Sequence, residues 1–198
     1  MLLAPHEAGL FFRLHRTLMF HVNEQIRVLP GDLTSPEDFA ALPSEERVKV
    51  GEAILENPDL LESFISRNPA DLSDEELAIV SSWRHQIAGK FYVFRQLKKY
   101  TIFLSSTDPP VAYGVTALTQ PFDELVGPWL PVLVETVLMP FGDKIVYDSI
   151  LRVYTVSFGS GIRRGLNESY REAKDYMGIV TSLTAGGARP GRKVREAK

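Results

Sequence analysis

Gly89-Lys90-Phe91-Tyr92-Val93-Phe94-Arg95-Gln96-Leu97-Lys98-Lys99-Tyr100-Thr101-Ile102-Phe103-Leu104 is where the pattern of the chain changes. Aromatic and β-branched residues crowd two short runs, 91–97 and 100–104, with Lys98-Lys99 between them. Runs of that composition, bounded by a polar break, read as two strands or one bent hairpin. Everything upstream keeps a helical period instead. The expected class is therefore α+β: a helical, bundle-like region, then a small and strongly bent antiparallel sheet or barrel with a C-terminal helix.

Upstream, Leu10, Leu14, Leu18, Val22 and Ile26 recur at helical spacing from Glu7 to Val28, and Phe11 and Met19 widen the stripe. Pro30 and Gly31 should stop this helix. Residues 32–89 read as short helices separated by proline. Ser35 is placed to cap a turn that has Pro36 at its first position. Ser44 to Glu56 forms the next helix. The Asn57-Pro58 and Asn68-Pro69 pairs each end one, because the residue before proline avoids the helical region. Asn57 then caps a helix with the stripe Leu60, Leu61, Phe64 and Ile65. Ser73-Asp74-Glu75-Glu76 is a capping box opening a helix to about Ala88, ended by Gly89.

Downstream, Val111–Leu118, Val132–Met139, Lys144–Ile150 and Val153–Phe158 read as further strands, with Phe141-Gly142-Asp143 as a hairpin turn. A last helix spans about Gly161 to Tyr176, with Ile162, Leu166, Tyr170, Ala173 and Met177 facing inward. Ile179–Leu183 is an expected edge strand. The regions are then 1–89 helical, 90–185 β-rich with its terminal helix, and 186–198 a mobile basic tail.

The chain has 198 residues, 44% of them apolar and 24% charged, with no cysteine. That is enough apolar material for a core. The lack of cysteine removes disulfides, thiolate nucleophiles and Cys-ligated metals. No apolar run approaches the roughly 18–20 residues of a membrane span, and Phe11-Phe12 is followed at once by Arg13, unlike a secretory leader. The expectation is a cytoplasmic protein with no membrane partner. The net charge of −3 conceals a division. Residues 32–76 carry thirteen carboxylates against Arg47, Lys49 and Arg67, whereas residues 77–198 carry sixteen basic and ten acidic residues. Such asymmetry fits either an anionic partner or oppositely charged faces solvated or balanced within one molecule.

Three stretches carry a family likeness. They are Trp83-Arg84-His85 with Gly89-Lys90-Phe91-Tyr92 and Leu97-Lys98-Lys99-Tyr100; Leu138-Met139-Pro140-Phe141 with Ile145-Val146-Tyr147-Asp148; and Ser157-Phe158-Gly159-Ser160-Gly161-Ile162-Arg163-Arg164. Over roughly residues 43–183 the chain resembles a family of bacterial hypothetical proteins of uncharacterised activity. The resemblance implies a bacterial, cytoplasmic origin and transfers no catalytic residue.

Chemistry-bearing patterns are few. His6, His15, His21 and His85 show no metal-ligand spacing, and His15 and His21, six apart, point in separate directions on one helix. No cofactor or metal is expected. Phe158-Gly159-Ser160-Gly161 lacks the spacing of a nucleophile elbow. Glu135 and Asp148 are candidates for a strand-borne acid/base pair. Gly159, Ser160, Gly161, Arg163 and Arg164 form a candidate anion site, since free N–H groups at a helix start attract anions and arginines there oppose the helix dipole. The competing reading is a glycine turn, with Arg164 paired to Glu168 and Arg171 to Asp175.

The acid-free stretch 77–107 interleaves Trp83, Phe91, Tyr92, Phe94, Tyr100 and Phe103 with cations. Stacking aromatics beside phosphate-neutralising cations suit single-stranded nucleic acid, with Arg84, Lys90, Arg95, Lys98, Lys99 and Tyr100 as its contacts. The same aromatics also suit the core of a small sheet. In the Gly127-Pro128-Trp129-Leu130-Pro131 loop, Trp129 is either an exposed contact anchor or a plug at the barrel mouth. The preferred reading is a non-catalytic binding or protein-interaction module, whose partner is another protein or a second copy. RNA or single-strand binding is the alternative, and a small enzyme acting on an anionic ligand a second one.

Overall fold

The computed structural model describes residues 1–29, 31 and 33–183. The fold is α+β: N-terminal helices, then a mostly antiparallel sheet, then a C-terminal helix. The chain divides into two compact units, Leu3–Gln86 and Met1–Leu2 with Ile87 onward. The expected stop at Pro30 and the tail 186–198 lie outside the described residues.

The helical unit is organised around α1 (Pro5–Ile26), which touches α2 (Pro36–Ala41), α3 (Ser44–Glu56), α4 (Asp59–Arg67) and α5 (Asp74–Ser82). Pro5 opens α1 with its φ already helical, and the Glu7 carboxylate accepts from the Ala4 N–H at 3.0 Å. Arg27 closes it at φ +50°. The apolar stripe does what its spacing implies: Phe11, Leu14, Leu18 and Val22 are buried. Ser35 Oγ accepts from the Asp38 N–H at 3.1 Å, and Asn57 Oδ1 from the Asp59 N–H at 3.3 Å. Ser73 and Glu76 complete the capping box of α5.

That helix ends at Ser82, however, and not near Ala88. A 3-10 turn, Trp83–His85, follows, and β1 (Ile87–Gln96) has already begun at Ile87. Ile87, Ala88 and Gly89 pair with Leu138, Val137 and Thr136. Pairing along a sheet outweighs the local helical pattern, and Gly89 becomes an interior strand residue instead of a helix terminus.

In the second unit β1 and β2 (Thr101–Ser105) form the expected hairpin, with Gln96 opposite Thr101. The register shifts between Val93 and Arg95, a bulge at Phe94. β3 (Ala112–Val115) continues the meander, and Gly114 lies opposite Ile102. A Cβ at Gly114 would stand 2.9 Å from the Tyr100 ring, so only glycine lets that ring lie flat on β3. After the short α6 (Phe122–Val126), β4 (Val132–Phe141) pairs with β1, with β5 (Lys144–Tyr147) and with β6 (Arg152–Tyr154). Gly142, at φ +60°, turns β4 into β5. A single parallel pairing, Val115 with Ile145, links β3 to β5. Bonding therefore runs round a ring of five strands, but one pairing does not make a true barrel.

Phe91, Phe103 and Phe122 are buried on the inner face, with Phe103 and Phe122 edge to face at 4.9 Å. On the outer face Phe94, Ile102, Leu104 and Ala112 pack against Leu166, Tyr170 and Ala173 of α7 (Ser160–Tyr176). Two of the residues expected to face inward depart from this: Ile162 is exposed because the covered face of α7 begins only at Leu166, and Met177, half-buried, is the C-cap beyond the end of the helix. The expected edge strand is the short β7 (Ile179–Val180), parallel to β3. Among the described residues no helix is long and apolar enough to cross a membrane.

Candidate functional site

The junction between β6 and α7 brings together residues far apart in sequence. Gly127, at φ +85°, turns the chain into Pro128-Trp129-Leu130-Pro131, and Trp129 stands 84% exposed. Arg163, in the first turn of α7, donates from Nη1 to the Leu130 carbonyl and from Nε to the Phe158 carbonyl, both at 3.1 Å. One planar guanidinium thus joins two chain segments. Val153, Val156 and Ile162, on β6, the segment after it and the start of α7, are also exposed. Of the two readings open for Trp129, the structure gives the exposed one.

The five residues of the candidate anion site share this corner. Gly159 is the N-cap of α7 and supplies no side-chain cap, and Gly161 has open space where a Cβ would be. Arg163 spends its donors on carbonyl oxygens. Arg164 is exposed and makes no ion pair among the described residues; the pairs Arg164–Glu168 and Arg171–Asp175 are not formed there. Ser160 is exposed at the helix start.

The nucleic-acid candidates belong to several elements. Arg84 belongs to the helical unit, where it bonds Ser81 and pairs with Glu62 at 3.2 Å. Lys90 lies 5.0 Å over the Tyr154 ring. Arg95 lies over Phe94 and Tyr170 and donates to Asn167. Lys98 and Lys99 are exposed in the hairpin loop, and Tyr100 is half-buried against Gly114. Trp83, Phe91, Phe94 and Phe103 are buried, which leaves them no face for a base.

Glu135 and Asp148 do not converge. Glu135 accepts from the Tyr154 hydroxyl at 2.5 Å and from Arg152 at 3.3 Å, on the face of β4 that carries Lys90 opposite it. The Tyr154 hydrogen bond, with Arg152 and Lys90 nearby, holds its carboxyl below the usual range despite some burial. Asp148 instead accepts from Thr136 Oγ1 and the Ile150 N–H, both at 3.1 Å. Adjacent strand residues face opposite sides, so Thr136 draws Asp148 to the side away from Glu135. Burial pushes the Asp148 carboxyl up to about 6, against those hydrogen bonds.

In the helical unit, His15 is buried, stacked on Phe11 at 5.6 Å and edge-on to Trp83. Burial, with Arg47 and Arg16 adding to it, lowers its pKa to about 4, and among the described residues Nε2 has no hydrogen-bond partner. His21 Nδ1 pairs with Glu24 at 2.8 Å beside a cleft of about 310 Å³ that Ser63, Phe64 and Arg67 also line. No group of three His, Asp or Glu side chains able to hold a metal ion occurs among the described residues.

No family model, curated protein or solved structure matches the chain. Sequence reading brought the five residues of the α7 corner to one place and named Trp129, but missed the clamp by Arg163. Its only signal was a helix-opening arginine that opposes the dipole.

Proposed function

We propose that the chain is a non-catalytic protein-interaction module that engages its partner through the corner around Trp129. The observation that carries this reading is an 84%-exposed tryptophan whose neighbour in the loop, Leu130, is held through its carbonyl by Arg163. Large aromatic side chains held rigidly on an apolar surface lose little entropy on binding and serve as contact anchors. The separation of Glu135 from Asp148 favours binding over acid/base chemistry. The test is a photo-cross-linking side chain at position 129, compared with one at exposed Gln120. Cross-links from position 129 alone, competed by unlabelled chain and not by a Trp129→Ala chain, support the reading. Equal labelling from both positions overturns it.

A further inference from the structure

We propose that the cleft lined by α1 and α4 binds a small aromatic carboxylate, with its carboxylate on Arg67 and Ser63 and its ring against His21, Phe64 and Pro69. This goes beyond the interaction reading: every residue lining the cleft belongs to the helical unit, and Trp129 takes no part. At about 310 Å³ the cleft stands at the lower end of small-molecule sites, which span about 300–1,000 Å³. An apolar cavity of roughly 150 Å³ holds benzene, so this one takes a ring, one charged group and some water.

Side-chain hydrogen bonds fix both walls in advance. On α1, Glu24 pairs with His21 Nδ1 at 2.8 Å and so orients the imidazole, whose centroid is 5.9 Å from that of the Phe64 ring. Beyond α4, Asn68 Nδ2 donates to the Leu72 carbonyl at 2.9 Å and Asn68 Oδ1 accepts from the Leu72 N–H at 2.8 Å. That double bond closes the loop that carries Pro69. Val22 and Phe64, both buried, add apolar lining.

Charge decides the polar end of the ligand. Ser63 and Arg67 are four apart, so a hydroxyl and a guanidinium share one face of α4. Glu62 of the same helix pairs with Arg84 instead. Among the described residues Arg67 has no carboxylate partner, although residues 32–76 carry thirteen carboxylates. A planar guanidinium holds a carboxylate through two parallel hydrogen bonds, and the Ser63 hydroxyl supplies a third donor. Glu24, across the cleft on α1, repels an anion, which turns the carboxylate toward α4 and the ring toward His21.

The test is benzoate titrated into the isotope-labelled full-length chain and followed by amide NMR. The signals of His21, Ser63 and Phe64 should move together and saturate. Arg67→Met, at an exposed position, should keep its circular dichroism and bind at least about tenfold more weakly. Ser63→Ala should lose about threefold, and Arg171→Met, at an exposed position of α7, should lose nothing. Benzamide, without the charge, and acetate, without the ring, should each bind at least about tenfold more weakly than benzoate. No saturable movement at those three residues overturns the proposal, and so does Arg67→Met binding benzoate as tightly as the parent. Benzamide binding as tightly as benzoate overturns it too, because no carboxylate is then recognised. None of these results touches the Trp129 reading, which cross-linking at position 129 tests separately.

Discussion

Arg163 Nη1 lies 3.1 Å from the Leu130 carbonyl oxygen, thirty-three positions away in the chain, and its Nε reaches Phe158 from the same guanidinium. The first turn of α7 is thereby fixed to the loop that displays Trp129. Arg163→Ala should free the loop and cost about 1 kcal/mol, since both bonds are partly exposed to water. Arg163→Lys should not restore it, because a lysine has no planar fork to span two carbonyls. Fluorine-labelled tryptophan NMR checks this: the Trp129 signal should narrow in both variants, while that of buried Trp83 stays unchanged.

His15 makes the helical unit acid-sensitive. Its folded pKa, about 4, lies below the ordinary value of 6.5, so between those pH values the unfolded chain binds the extra proton. Stability should be full above pH 6.5 and fall through that window, by roughly 2–3 kcal/mol at its end. His15→Phe should flatten the profile and remove the unpartnered Nε2. Urea titrations from pH 4 to 7.5, followed by Trp83 fluorescence in a Trp129→Phe background, would show the slope vanish.

Asp148 works with the opposite sign. Its folded pKa, about 6, lies above the ordinary 3.8, so the folded state holds the proton longer. Its contribution is complete below about pH 4 and declines as pH rises toward 6. Asp148→Asn keeps Oδ1 as the acceptor for both the Ile150 N–H and the Thr136 hydroxyl. It should stabilise the sheet unit by about 1–2 kcal/mol at pH 7 and leave it unchanged at pH 4. Thermal melts of both proteins at the two pH values decide the matter. An equal shift at both would put the gain in packing, not in ionisation.

Gly114→Ala should destabilise the sheet unit by about 1–3 kcal/mol, because the new methyl group collides with the Tyr100 ring. In the Tyr100→Ala background the same change should cost far less. A double-mutant cycle should therefore show strong coupling between the two positions.

The α+β division was legible because periodicity is local: the α1 stripe and the aromatic runs of 91–104 each announce their own element. The boundary at Ser82 was not, since what ends α5 is β1 pairing Ile87 with Leu138, a partner some fifty residues away. Ile162 fits the helical stripe of α7 but lies beyond the sheet that covers Leu166, a matter of where a neighbour stops. The α7 corner could be nominated from Gly159-Ser160-Gly161 and two arginines. That Arg163 reaches the Leu130 carbonyl depends on a loop whose position no local pattern encodes. Glu135 and Asp148 sit on β4 and at the end of β5, as strand reading allowed. Their separation turns on Thr136, whose parity fixes the side.

β4 completes pairings that earlier strands leave open, and this orders events during synthesis. β1 is made first and its partner β2 follows within a few residues, yet its other edge waits for Val132–Leu138. At translation rates of about 5–20 residues per second, that edge stays unpaired for seconds while the intervening segment emerges. The nascent chain therefore passes through a period in which Phe91 and Val93, buried in the finished sheet, lack their cover. Whatever attends the ribosome exit has its window there, before residue 138 is out.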